Sequence, residues 1–232
     1  AIAATRDTTG DGENDQLGVG QVGSSTIAWA NGARQVEIKD GKVVFAYDSQ
    51  NVNNALLTLH KWQRVLGITG GHYKGTDFIN GKRAMDPQPG HRIASIVEQI
   101  EFDYGIVPMP MGQDVDEYCY PFEAAVMQYL QKKKKNPEKL VALSTFLWSK
   151  EVYMDAQNQF IRAVAADRTA AQVIEDGVEN WNGHFGLLNA NLKNTGFDEA
   201  VRNIWRNGES PDAVWDEVRG AIQARIDELF AQ

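Results

Sequence analysis

Phe78-Ile79-Asn80-Gly81-Lys82-Arg83-Ala84-Met85 and Phe102-Asp103-Tyr104-Gly105-Ile106-Val107-Pro108-Met109-Pro110 decide how this chain is read. The first stretch is a small-residue turn feeding a short strand that ends at Met85. The second is an apolar run stopped by two prolines, which have no N–H to give a ladder. A helix-sized interval separates them, so the spacing predicts strand–helix–strand. Upstream, Val36-Glu37-Ile38-Lys39 and Val43-Val44-Phe45-Ala46-Tyr47 flank Asp40-Gly41. Asp-Gly between β-rich runs predicts a hairpin. Ser24 reads as the cap of a short helix stopped by Asn31-Gly32, and Asp48-Ser49 as the cap of a long helix reaching about Gly67. Downstream, helices are expected at about 137–148, at about 150–165 and from near Thr169. Two more close the chain, Phe197 to Asn207 and Pro211 to Phe230, the last with Ser210 as cap and proline at its first position. Strands alternating with helices predict an α/β fold.

The 232 residues suffice for one large domain or two small ones. A net charge of −8 disfavours non-specific association with nucleic acid or anionic membranes, so no nucleic-acid partner is expected. The dense basic run Lys132–Lys135 stands before Asn136-Pro137-Glu138, a helix start, and reads as a solvated loop. No apolar run approaches the roughly 20 residues of a membrane span. Ala1–Arg6 lacks the charged and apolar regions of a signal peptide and reads as the last turn of a helix. The single cysteine, Cys119, allows no internal disulfide and is expected to be a buried structural thiol.

The sharpest local motif is Asp7-Thr8-Thr9-Gly10-Asp11-Gly12-Glu13-Asn14-Asp15. Oxygen-bearing side chains at alternate positions around a glycine match the first three-quarters of an EF-hand calcium loop. Asp7, Thr9, Asp11, Glu13 and Asp15 are therefore the candidate ligands of a structural Ca2+. Gly18 stands where the bidentate glutamate would be, which excludes a complete EF-hand. The four histidines, His60, His72, His91 and His184, show no zinc spacing. Asp114, Asp116 and Glu117 could serve a glycosidase as paired acids, but so dense a cluster reads first as a solvated loop. Gly18–Gly23 matches G-x-G-x-x-G without a recognisable strand before it, so no dinucleotide fingerprint is read. No catalytic residue is assigned. Trp62, Trp205 and Trp215 occupy apolar helical positions and are expected in the core; Trp29, Trp181 and Phe185 lie near loops or helix ends, where they pack in the core or stack on a ligand.

Taken in order, these features resemble the extracellular (family 1) solute-binding proteins of carbohydrate-type ABC importers, the maltose-binding-protein-like family. The resemblance rests on the Asp7–Gly18 loop, Trp29-Ala30-Asn31-Gly32, Asp40-Gly41-Lys42-Val43, Asn54-Ala55-Leu56 with Trp62, Phe78–Met85, Asp103–Pro110, and Lys135–Lys139 with Phe146-Leu147. It implies a type II periplasmic-binding-protein-like fold, mainly the C-terminal lobe with a hinge-crossing segment. Residues 1–108 would be the α/β part of that lobe, 109–150 the hinge and a segment returning to the N-terminal lobe, and 151–232 the helical completion. It implies a binding protein rather than an enzyme, capturing a sugar or oligosaccharide between lobes for a membrane permease. The location implied is extracellular or periplasmic, with a lipid anchor on an N-terminal part that the chain lacks. As such a fragment it would bind weakly alone and could pair as a homodimer. Gln21, Trp29, Asn31, Asp86, Gln88, His91, Thr195 and Phe197 would contact ligand. His91 stands where family members often carry tryptophan, which alters sugar stacking at that point. Two other classes stay open: a secreted glycoside-active enzyme using residues 114–117, and a calcium-stabilised surface module.

Overall fold

Asp40 and Gly41 carry the expected hairpin. Both have positive φ, 51° and 76°, the left-handed pair that a two-residue hairpin turn requires. They join β2 (Val36–Lys39) to β3 (Lys42–Phe45) in antiparallel register, with Val36 opposite Phe45 and Lys39 opposite Lys42. The computed structural model describes all residues except 13, 70–75, 121–135, 148, 180–190 and 232. Lys132–Lys135, Trp181, His184 and Phe185 therefore lie outside the described residues, as does His72.

The chain divides into two units. The first comprises Ala1–Gln88, Pro108–Glu123 and Asn180–Gln232, the second Pro89–Val107 and Ala124–Glu179. Their segments interleave along the chain.

The first unit begins with β1 (Leu17–Val19), which pairs in parallel with β4 (Arg83–Met85), Leu17 opposite Arg83 and Val19 opposite Met85. The strand read at Phe78–Met85 is thus only its last three residues; residues 76–81 form turns. β1 itself overlaps the start of the Gly18–Gly23 run. Three residues with a central glycine carry too little periodicity to be read as a strand. Gly23, not Ser24, holds the cap position of α1 (Ser24–Ala30). α2 (Gln50–His60) continues through one wider, π-type turn, Lys61–Val65. α7 (Phe197–Arg202) does the same at Asn203–Asn207 and precedes α8 (Pro211–Phe230), which has Ser210 at its cap position and Pro211 in its first turn.

The core of this unit gathers the faces of α1, α2, β3, α7 and α8. Leu56, Leu59, Ile204, Trp215, Ile222 and Ile226 are fully buried. Rings meet edge to face, Phe45 with Trp215 at 5.7 Å and Tyr47 with Phe197 at 5.3 Å. Of the tryptophans expected inside, Trp215 is central, while Trp62 and Trp205 are partly buried against the core. The free edge of β3 is met by a side chain: Gln223 of α8 accepts from the Phe45 N–H at 2.8 Å and donates to the Val43 carbonyl at 3.0 Å. Arg219 of α8 adds an ion pair to Asp48 at 2.6 Å.

In the second unit, α3 (Gly90–Val97) precedes residues 102–107, and α4 (Pro137–Leu147), α5 (Lys150–Val164) and α6 (Arg168–Glu179) follow. The second strand expected at Phe102–Pro110 does not form; the segment is irregular and pairs with no described strand. Pro108 and Pro110 cannot donate, so an apolar run there lacks half a ladder. Tyr104 instead donates its hydroxyl to the Val164 carbonyl at 3.0 Å. Ser149 caps α5 through the Val152 N–H. In the first unit's Pro108–Glu123 segment, Cys119, expected buried, is half-buried, and desolvation holds its thiol above the usual value. No helix of the described residues is long and apolar enough to cross a membrane.

Candidate functional site

The cavity in the first unit is built largely from one helix face. Phe197, Asp198, Val201, Arg202 and Trp205 recur at the spacing that keeps side chains on one side of α7 and its wider last turn. Opposite stand Ser24, Ser25 and Trp29 of α1, then Gln35 before the hairpin and Tyr47 after it. The volume is about 290 Å³. That lies near the lower end of the roughly 300–1,000 Å³ common for small-molecule sites.

Its chemistry is aromatic wall with polar points. Trp29, Tyr47 and Phe197 are buried, so the core fixes their positions. Tyr47 is 3% exposed, and desolvation alone pushes its phenol well above the usual tyrosine value. Among the described residues its hydroxyl has no hydrogen-bond partner, nor do the hydroxyls of Ser24 and Ser25 or the charged groups of Asp198 and Arg202. Groups so placed are available to a ligand. Trp205 is held from behind: His60 Nδ1 lies 3.2 Å from its carbonyl oxygen, and the His60 ring packs against Gly208, where a Cβ would come within 2.8 Å.

Trp29 and Phe197 are the two expected ligand residues that line this cavity. Asn31 is 2% exposed and serves the fold: its amide donates to the Asn51 carbonyl and to Asp114 Oδ2, both at 2.6 Å, and accepts from the Asp114 N–H at 3.0 Å. Gln21 is exposed between β1 and α1. Asp86 and Gln88 follow β4 and bond to each other at 2.8 Å, half-buried. Gly20 lies so close to Asp86 that a Cβ there would come 2.3 Å from Oδ1, so parallel pairing brings Gly20 and Asp86 to one end of the two strands. Thr195 donates to the Leu192 carbonyl at 2.7 Å. His91 has its backbone in α3, and its side chain lies outside the described residues. The sequence reading missed Ser24, Ser25, Gln35, Tyr47, Asp198, Val201 and Arg202 and assigned Trp205 to the core. Helical spacing from Phe197 was the signal that could have found four of them.

The Asp7–Asp15 loop organises itself around its own carboxylates. Asp7 accepts from the N–H groups of Thr9, Gly10 and Gly12 at 3.0, 2.5 and 2.8 Å. Asp15 Oδ2 accepts from the Thr8 N–H and hydroxyl, each at 2.8 Å, and from the Thr9 N–H at 2.9 Å. Glu13 lies outside the described residues, and among those described no three His, Cys, Asp or Glu side chains are placed to share a metal. These bonds lower both carboxyl pKa values, for Asp7 chiefly the Gly12 and Gly10 N–H groups and for Asp15 chiefly Thr8. A folded pKa below the unfolded one stabilises above the unfolded value and is lost as pH falls through the folded value. Amide exchange at Gly10 and Gly12 is therefore expected to accelerate, relative to the intrinsic rate, below about pH 4, and Asp7→Asn should produce the faster exchange already at neutral pH. Equal protection at pH 6 and at pH 2 would contradict it.

Three solved structures are similar to this chain in fold. A maltose/maltodextrin-binding domain MalE from Bdellovibrio bacteriovorus bound to maltotriose superposes with TM-score 0.65 at 14% identity, covering 100% of this chain and 64% of that one. A cyclo/maltodextrin-binding protein complexed with maltotetraose gives 0.61 at 14%, covering 97% and 62%. UgpB from Mycobacterium tuberculosis in complex with glycerophosphocholine gives 0.59 at 14%, covering 93% and 58%. No family model and no curated protein matches the sequence. The chain thus has a type II periplasmic-binding-protein-like fold and spans less than two thirds of the length of these proteins.

Proposed function

We propose that this chain captures a sugar, as the solute-binding component of an ABC importer, outside the cytoplasmic membrane and without catalysing a reaction. The observation that carries the reading is the cavity between α1 and α7, where aromatic walls surround hydroxyl, carboxylate and guanidinium groups that have no partner among the described residues. Sugars present apolar ring faces and hydroxyls that donate and accept, which suits such a lining. Two neighbours of the same fold are described as holding maltotriose and maltotetraose. The glycosidase alternative is not favoured: Asp114 is engaged by Asn31 and Asn54, and among the described residues lining the cavity Asp198 is the one carboxylate. A membrane permease as partner, a lipid anchor and pairing of two copies belong to this proposal as extensions of the family resemblance.

Titration with maltose, maltotriose and a monosaccharide panel to millimolar concentration, read by calorimetry and tryptophan fluorescence, is expected to saturate with at least one sugar. Tyr47→Phe should weaken that binding about tenfold, the worth of one hydrogen bond. It should leave the melting temperature almost unchanged, because the hydroxyl has no partner among the described residues. Failure of every sugar to bind would remove the reading. Calcium on the Asp7–Asp15 loop is a separate proposal, carried by carboxylate spacing. An ion there would displace N–H donors, and it requires a melting temperature that rises with calcium and falls with chelator.

A further inference from the structure

We infer that Asp198 and Arg202 make the cavity select uncharged sugars over anionic and cationic ones, an inference that rests on the sugar-binding reading above. The two residues stand four apart on α7 and so share a helix face, and both line the cavity. Oppositely charged neighbours at this spacing commonly pair, yet these form no ion pair with each other or with any other residue described. The site therefore presents a carboxylate and a guanidinium on one helix face, both without a protein partner among the described residues.

A carboxylate only accepts and a guanidinium only donates. A hydroxyl does both, so neighbouring hydroxyls on one ring can donate to Asp198 and accept from Arg202 while the pair stays electrically balanced. A uronate gains at Arg202 but brings its charge against Asp198, and an amino sugar meets the reverse. Like charges forced together in a partly enclosed site cost binding. The other polar groups point the same way: Ser24, Ser25 and Tyr47 offer neutral hydroxyls that match ligand hydroxyls and give a second ionic group nothing to pair with. The cavity volume of about 290 Å³ suits a single ring or the end of a longer chain.

The test titrates the full chain with glucose, galactose and mannose, their uronates and their 2-amino derivatives. Wild type, Asp198→Asn and Arg202→Gln are compared; both side chains are exposed, so both variants are expected to fold. In the wild type, the uncharged member of the series that binds should do so about fivefold more tightly than its charged counterparts. Asp198→Asn should raise uronate affinity relative to the neutral sugar by about the same factor, and Arg202→Gln should do so for the amino sugar, both effects shrinking at high salt. A wild-type preference for a charged sugar, or ratios unmoved by either substitution, would overturn the inference while leaving sugar capture standing. Binding of no member of the panel would remove sugar capture itself, and the inference with it.

Discussion

Trp215→Ala is expected to lower the stability of the first unit by about 4 kcal/mol, within the range for emptying a buried aromatic site. The indole is fully buried and touches the rings of Phe45, Tyr47 and Phe197 at 5.7, 6.4 and 6.2 Å. Its N–H donates to Asn53 Oδ1 at 2.8 Å, and Asn53 in turn donates to the Asp48 carbonyl at 3.2 Å. Truncation therefore opens a cavity and strands a buried acceptor, two costs that add. Trp215→Phe separates them: it keeps a ring and loses the hydrogen bond, so its cost should be about 2 kcal/mol. Denaturant midpoints for both variants test this, with the melting temperature of the alanine variant expected to fall by about 10 °C. Equal midpoints for wild type and Trp215→Ala would mean that this cluster does not hold the unit together.

Asn31→Ala is expected to cost about 2 kcal/mol, because one buried amide gives up three hydrogen bonds at once. The Asp114 N–H, the Asp114 carboxylate and the Asn51 carbonyl all bond to this one amide. The loop it pins also approaches closely: the Gly112 N–H donates to the Ala30 carbonyl at 3.0 Å, and a Cβ on Gly112 would come within 1.9 Å of Asn31 Oδ1. Asn54→Ala is the control. Asn54 is more exposed and shares Asp114 with Asn31, so its loss should cost well under 1 kcal/mol. The readout is the denaturation midpoint together with protease sensitivity at residues 110–117. If Asn31→Ala and Asn54→Ala prove equally mild, the amide is not the node that its contacts make it.

The two loci mark where sequence reasoning reached and where it stopped. Local rules were enough for the hairpin, because Asp40-Gly41 encodes its own turn, and for α8, because Ser210-Pro211 marks a helix start and apolar residues recur behind it. They did not find the parallel pairing of β1 and β4, whose members are three residues long and 66 apart from Leu17 to Arg83. Such strands are defined by a partner, not by a periodicity. Asn31 read as a helix stop beside a ligand site, because its partners Asn51 and Asp114 lie 20 and 83 residues away. Tyr47 read as the end of a strand; its role at the cavity depends on α1 and α7 closing around it.

The side-chain amide of Gln223 on the edge of β3 carries a consequence for how the chain is made. It satisfies Val43 and Phe45 from 180 and 178 residues downstream. Emerging from a ribosome, which delivers the N-terminal part first, the hairpin waits for α8 with two backbone groups still lacking their protein partner. Trp215 and Ile222 arrive on that same helix, so the first unit gains its centre only once residues 211–230 have emerged. A nascent chain stalled before residue 211 carries an open β edge, the kind of surface that recruits a second chain or a chaperone.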